Sequence, residues 1–308
     1  MRLVFAGTPG VAVPTLRALL DAPQHDVVAV VSRPDRPAGR GRHVAESPVK
    51  AAALAAGVEV LQPERARDPD FLDRLRTLAP DCCPVVAYGG LLPPAALEIP
   101  AHGWVNLHFS LLPHWRGAAP VQHAILAGDD VTGASTFRIE EGLDTGPVYG
   151  VVTTEIDPRE TAGELLARLA ETGAGLMLAT IDGIADGSLV PRPQPDDGAS
   201  YAGKIEVDDA RIDWSAPALR IDRVVRACTP APGAWTTFRD RRVKLGPVRH
   251  RSESGLAPGE IRADRNIVVV GSGSNDVALT EVRPEGRGPM TAADWARGLR
   301  LQPGDRFE

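Results

Sequence analysis

The chain has 308 residues, with 34 Lys and Arg against 40 Asp and Glu, giving a net charge of −6. At 43% hydrophobic and 24% charged residues it is an ordinary globular sequence, and its length favours two domains over one. The acidic balance excludes a protein that coats nucleic acid indiscriminately, because such binding depends on neutralising phosphates.

The first two-thirds alternates strand-like and helix-like segments. Residues 3–7 (LVFAG) form a short apolar run ended by Gly-Thr-Pro-Gly, and Val13–Leu20 follows with helical spacing. Residues 26–32 are rich in Val, 48–57 read as an Ala-rich helix, and 71–78 repeat apolar residues at helical spacing. Residues 84–89 (PVVAYG) and 104–109 (WVNLHF) are strand-like again. This alternation predicts an α/β fold, a Rossmann-like and mainly parallel sheet with flanking helices. Residues 134–140 and 148–156 succeed each other without a helix, which predicts antiparallel pairing there. A long helix is expected over Ala162–Ala185, broken at Gly173 and Gly175.

Residues 187–198 (GSLVPRPQPDDG) are rich in Pro and poor in apolar residues, as an extended linker would be. Beyond them, a helix at Ala218–Ala227 precedes strand-like runs at 234–238, 242–248, 259–262, 267–270 and 277–282, and a last helix spans Ala292–Leu299. That pattern predicts a small β-barrel of OB type. The expected division is a catalytic domain over 1–188, a linker over 189–207 and a barrel over 208–308. Charge divides similarly: residues 1–208 carry 17 basic and 27 acidic side chains, and residues 209–308 carry 17 and 13.

Cys82, Cys83 and Cys228 form no C-x-x-C pair, and an odd count fits a reducing compartment. No signal-peptide pattern or bilayer-length apolar run is present, so no membrane association and a cytoplasmic location are expected. None of the seven His forms H-x-H or H-x-x-x-H, so no metal is expected.

The richest segment is 106–146. Asn106 and His108 stand two apart on one strand-like run, so both side chains leave the same face near the strand's carboxyl end. Ligands of open parallel sheets bind beyond those ends. Asp144 follows in the Gly-rich turn EEGLDTG. An amide, an imidazole and a carboxylate in one crevice suit acyl transfer: the first two can stabilise an oxyanion while the carboxylate orients the imidazole and handles protons. No G-x-S-x-G elbow and no Cys near a His supplies a covalent nucleophile, which favours direct transfer between two bound substrates. Each residue alone also has an ordinary structural role, as a satisfied core His, a turn Asn or a capping Asp.

NLHFSLLPHWRGAAPVQHAILAG followed by EEGLDTG resembles the signature of the folate-dependent formyltransferases. The resemblance implies formyl transfer from 10-formyltetrahydrofolate to an amine through a tetrahedral intermediate. By that resemblance Asn106, His108 and Asp144 are the catalytic trio, and Ser110, Leu111, Leu112 and Pro113 contact the folate. FAGTP, RPDRPAGRGR, SPVK, VVAYG, WRGAAP and ARIDW extend the likeness over the whole chain, toward the branch that formylates methionyl initiator tRNA. The pattern departs from the family at Cys82-Cys83-Pro84, Gly90 and Phe109, and the two cysteines are expected to be buried as small hydrophobes.

Residues 33–50 carry Arg33, Arg36, Arg40, Arg42 and Lys50 against Asp35 and Glu46. Their Pro and Gly content predicts an exposed, mobile loop, fit to grip the phosphates and splayed bases of an RNA end. Arg211, Arg220, Arg223, Arg226, Arg239, Arg241, Arg242 and Lys244 are the candidates for tRNA contacts in the basic C-terminal part. A monomer is expected. The rival expectations are a formyltransferase acting on a nucleotide-linked amino sugar or on glycinamide ribonucleotide, and an RNA-binding module on an inactive α/β domain.

Overall fold

A computed structural model describes residues 1–38, 43–302 and 304–308. The elements in chain order are β1 (Arg2–Gly7), α1 (Val13–Leu20), β2 (Asp26–Val31), β3 (Arg36–Ala38), β4 (His43–Ala45), α2 (Pro48–Ala55), β5 (Glu59–Leu61) and α3 (Pro69–Leu78). There follow β6 (Cys83–Val86), α4 (Pro94–Leu97), β7 (Trp104–His108), β8 (Arg116–Gly117), α5 (Pro120–Ala127), β9 (Val131–Arg138), β10 (Val148–Glu155), α6 (Ala162–Ala185) and β11 (Tyr201–Ala202). The chain ends with α7 (Ala218–Ala227), β12 (Trp235–Phe238), β13 (Arg241–Leu245), β14 (Val248–His250), β15 (Ile261–Ala263), β16 (Val268–Val270), β17 (Val277–Leu279), β18 (Glu281–Pro284), β19 (Met290–Thr291) and α8 (Ala292–Leu299). These form two compact units.

The first unit comprises residues 1–117, 132–154 and 166–201. Its seven-stranded sheet runs β10-β9-β7-β6-β1-β2-β5. β1, β2, β5, β6 and β7 are parallel, and β9 pairs antiparallel with β7. Leu3, Val4, Phe5 and Ala6 are all fully buried, as a strand covered on both faces requires. β6 stops at Val86 rather than at Gly89, because Ala87 turns into the left-handed region at φ 47°. Gly173 and Gly175 do not break α6, which runs uninterrupted through both. At Gly173 a Cβ would lie 2.8 Å from the Leu107 side chain, so the glycine serves close packing on β7 rather than a bend. Cys82 and Cys83 are buried hydrophobes, as expected.

Parts of the basic segment are in regular structure. β3 and β4 pair as an antiparallel hairpin with Arg36 opposite Ala45, and Ser47 then caps α2 by accepting from the Lys50 N–H at 3.1 Å. Lys50 is held at 2.5 Å by Asp35, on the strand-entry side of the hairpin. That pairing keeps the Asp35 carboxyl below the usual carboxylate range through its hydrogen bond from Lys50. Arg40 and Arg42 lie outside the described residues.

The second unit comprises residues 118–131, 155–165 and 202–308. The expected boundaries at 188 and 207 differ from these: α5 and residues 155–165 cluster with the C-terminal residues, since α5 packs on α7. Two four-stranded sheets, β12-β13-β18-β19 and β14-β17-β16-β15, pair antiparallel and make the small β-domain. Its core stacks Phe307 between Trp214 and Trp295, at centroid distances of 5.4 and 5.5 Å. The amphipathic α7 turns Ile221 and Val225 into that core. Among the described residues no helix is long and apolar enough to cross a membrane.

Candidate active site

β7 lies between β6 and β9, and both neighbours fix its register: Asn106 stands opposite Val85 on one side and Phe137 on the other, and His108 opposite Ser135. Asn106 is half-buried, and among the described residues its amide has no hydrogen-bond partner, so its N–H groups are free for a ligand. His108 is 5% exposed, with Phe137 edge-on at 6.3 Å. Its Nε2 lies 2.8 Å from the Trp115 carbonyl. A carbonyl only accepts, so Nε2 carries the proton and Nδ1 is bare in the neutral ring.

Nδ1 faces Asp144 Oδ2 at 3.7 Å. Burial holds the His108 pKa below the ordinary imidazole value of 6.5, while the Asp144 charge and the Trp115 carbonyl oppose the fall. The resting state is therefore a neutral imidazole beside a half-buried carboxylate. Asp144 is itself fixed, because Oδ2 accepts the Gly117 N–H at 2.7 Å. Its backbone is left-handed at φ 52°, and so is that of Trp115 at φ 59°. Both flanks of one imidazole thus use backbone that a non-glycine residue adopts only when its surroundings impose it. The turn tolerates little else: at Gly146 a Cβ would lie 1.8 Å from the Arg138 carbonyl oxygen.

The four residues of the SLLP motif divide. The Ser110 hydroxyl is buried and donates to the His114 carbonyl at 2.6 Å, while the Ser110 carbonyl accepts from Ser135 at 2.7 Å. Ser110 thus folds the loop, and Pro113 is buried with it. Only Leu111 and Leu112 are half-exposed. Leu91 and Leu143 carry more apolar surface, at 94% and 60% exposure. Leu143 precedes Asp144, and Leu91 lies on the loop that leaves β6 level with the end of β7. Gly90 on that loop leaves room for Tyr88, whose ring a Cβ there would meet at 2.6 Å.

The basic residues also separate. Arg33 is half-buried and donates to the Glu64 carbonyl, whereas Arg36 is exposed. In the second unit, Arg226 is buried and bonded to Asp222 at 2.7 Å. Arg220 and Arg223 donate to the carbonyls of Leu126 and Ala127, and Arg239 pairs with Asp305. Arg211 and Arg242 cover the Trp235 ring at 5.6 and 3.9 Å. Lys244 stands directly between Trp235 and Arg283 in register. Sequence reasoning missed Arg283, because a cross-strand neighbour is set by long-range pairing and leaves no local pattern. It also missed Trp115, Gly117 and Gln194, which meet the imidazole or its partner through backbone and side-chain amide groups.

Two family models match the chain: Formyl transferase over residues 1–181, and Formyl transferase, C-terminal domain, over residues 204–300. It is 66% identical over 310 residues to the methionyl-tRNA formyltransferase of Parafrankia sp., with 100% of both chains covered. To the methionyl-tRNA formyltransferase of Streptomyces coelicolor it is 64% identical over 309 residues, covering 99% of each. Among solved structures it resembles HypX from Aquifex aeolicus in complex with tetrahydrofolic acid, with a TM-score of 0.68 and 18% identity. That match covers 96% of this chain and 46% of the other, and it is a likeness of fold.

Proposed function

Because the chain belongs to the formyl transferase family, we infer that it moves the formyl group of 10-formyltetrahydrofolate onto the α-amine of methionyl initiator tRNA. The observation that carries this reading is identity above 60% over the whole length to enzymes named for that reaction. The neutral His108, the Asp144 carboxylate and the unpartnered Asn106 amide supply the groups it needs. The exposed Leu91 and Leu143 fit a flat heteroaromatic donor, which gains most from apolar cover.

The attacking amine must lose a proton as the formyl carbon becomes tetrahedral. His108 Nδ1 is the free basic position, and the proton it takes lands facing Asp144 Oδ2, which stabilises the imidazolium. Nε2–H is committed to the Trp115 carbonyl, so the geometry supports Asn106 as the side-chain donor to the oxyanion. The geometry thus favours His108 as the proton acceptor over the oxyanion binding expected of it, with Asp144, expected to handle the proton, stabilising the imidazolium instead. Collapse of the tetrahedral intermediate then breaks the bond from the formyl carbon to the folate nitrogen. That nitrogen takes the proton back from His108 as tetrahydrofolate leaves, so the direct transfer needs no covalent enzyme intermediate.

The proposed domain roles are catalysis by residues 1–188 and tRNA binding by residues 208–308, with Arg33, Arg36, Arg40 and Arg42 contributing to the tRNA. Within the second unit, exposure favours Arg211, Arg241, Arg242 and Arg283, with Lys244 beside them, over the internally bonded Arg226. Like charges directly opposite on a sheet are unfavourable, so the Lys244–Arg283 pair suits a surface completed by phosphates. Substituting Arg283→Ala is expected to weaken tRNA binding and lower the slope of log K against log salt by about 1. An unchanged slope would remove Arg283 from the interface. The function itself is tested by offering the formyl donor with charged initiator tRNA, elongator tRNA and amino-sugar nucleotides in competition. Initiator tRNA should be formylated first, and preferential formylation of a sugar would overturn the reading.

A further inference from the structure

The segment expected to be a plain linker is bonded into the site. Arg192 exchanges two backbone hydrogen bonds with Val148, both 2.8 Å, at the outer edge of the sheet. Eight residues later the Ser200 hydroxyl accepts the Trp115 N–H at 2.9 Å, and the Ser200 carbonyl accepts the Arg116 N–H at 2.8 Å. Between them stands Gln194, half-buried and fully satisfied. Its Nε2 donates to the carbonyls of Asp144 and Gly146 at 2.7 and 2.8 Å. Its Oε1 accepts from Arg116 Nη2 and Nε at 2.7 and 3.1 Å. The orientation of the amide is unique, since only nitrogen can face two carbonyls and only oxygen a guanidinium.

We propose that Gln194 is a positioning residue for formyl transfer, locking the 144–146 turn to the 115–117 loop so that Asp144 and Trp115 hold opposite edges of the His108 imidazole. The proposal rests on the reading of Asn106, His108 and Asp144 as catalytic. Asp144 and Trp115 both have left-handed backbone, which does not persist unless something over-determines it. Gln194 supplies that restraint at Asp144 through the carbonyl, and Ser200 supplies it at Trp115 through the N–H. Arg116 and Gly117 are adjacent, so the Gln194–Arg116 contact also presents the Gly117 N–H to the Asp144 carboxylate. Small displacements of such groups cost rate steeply, on the order of 100-fold for about 1 Å.

The test is a set of Gln194→Leu, Gln194→Glu, Asp144→Asn and the Gln194→Leu/Asp144→Asn double variant, assayed with charged initiator tRNA and formyl donor. Gln194→Leu removes all four bonds, and Gln194→Glu keeps the Arg116 contact but sets carboxylate oxygen against two carbonyls. Both are expected to lower kcat about 10- to 100-fold with KM for each substrate within about 2-fold. The loss should vanish in the Asp144→Asn background, since Gln194 acts through Asp144. A drop in melting temperature with kcat intact in both variants, or a full loss retained beside Asp144→Asn, would overturn the proposal. An Asp144→Asn variant with undiminished kcat would instead overturn the site reading beneath it.

Discussion

Replacing Asn106 with Ala is expected to slow formyl transfer by about 100- to 1,000-fold while the protein stays folded. Loss of one preorganised oxyanion donor costs about 2.7–4 kcal/mol in the barrier. The neighbouring imidazole does not replace it, because the His108 Nε2–H is already given to the Trp115 carbonyl. Structure should survive, because the Asn106 amide has no internal partner among the described residues, and its strand is anchored by Trp104, Val105 and Leu107, all buried. The effect should fall on kcat, with tRNA and donor binding little changed, because the bond forms only as charge develops on oxygen. Single-turnover kinetics under saturating substrates checks this. A rate within about 3-fold of the parent would remove Asn106 from the mechanism.

The second large effect is at Asp144. Asp144→Asn keeps a group that can accept the Gly117 N–H but removes the charge facing His108. The general base that Asp144 supports, His108, typically contributes about 100- to 10,000-fold, and losing the charge that stabilises its imidazolium should lower kcat by up to that amount. The accompanying titration has a definite direction. Burial already holds the His108 pKa below 6.5, and the Asp144 charge is what limits the fall. Without it the imidazole should protonate at still lower pH, read by NMR of the ring. A midpoint that rises in Asp144→Asn would show that the two groups are not coupled in this sense. In the parent protein a depressed folded pKa means that His108 favours the folded state fully above pH 6.5. That contribution is lost as pH falls from 6.5 through the folded value, so acid should erode both stability and rate.

Much of this is legible in the chain because it is local. The bounds of α1, α6, α7 and α8 follow from apolar spacing, and Thr161 and Glu164 close the reciprocal cap that starts α6. The two-residue period of a strand puts Asn106 and His108 on one face, but their reading with Asp144 as a catalytic trio rests on the resemblance to the formyltransferases. What escapes is set by contacts distant in sequence. The prolines of 33–38 suggest no regular structure, yet Arg36–Ala38 pair with His43–Ala45. The prolines of 187–198 suggest a spacer, yet Gln194 reaches back 50 residues to the Asp144 carbonyl. Pro-rich composition reports that a segment forms no helix, and it says nothing about what its side chains bind. Gly173 shows the converse error, a helix breaker by propensity that close packing requires.

The burial of the cysteines has a practical side. Desolvation pushes the Cys82 thiol up to about 12 and the Cys228 thiol to about 11, and Cys83 is raised as well. Thiolate is the reactive species, so at neutral pH the native protein offers alkylating dyes and spin labels almost nothing to attack. A single thiol introduced on the surface, such as by Ala199→Cys at the exposed position beside Ser200, would therefore report alone. Fluorescence from that position could follow the approach of a charged tRNA without first stripping the parent of its own cysteines.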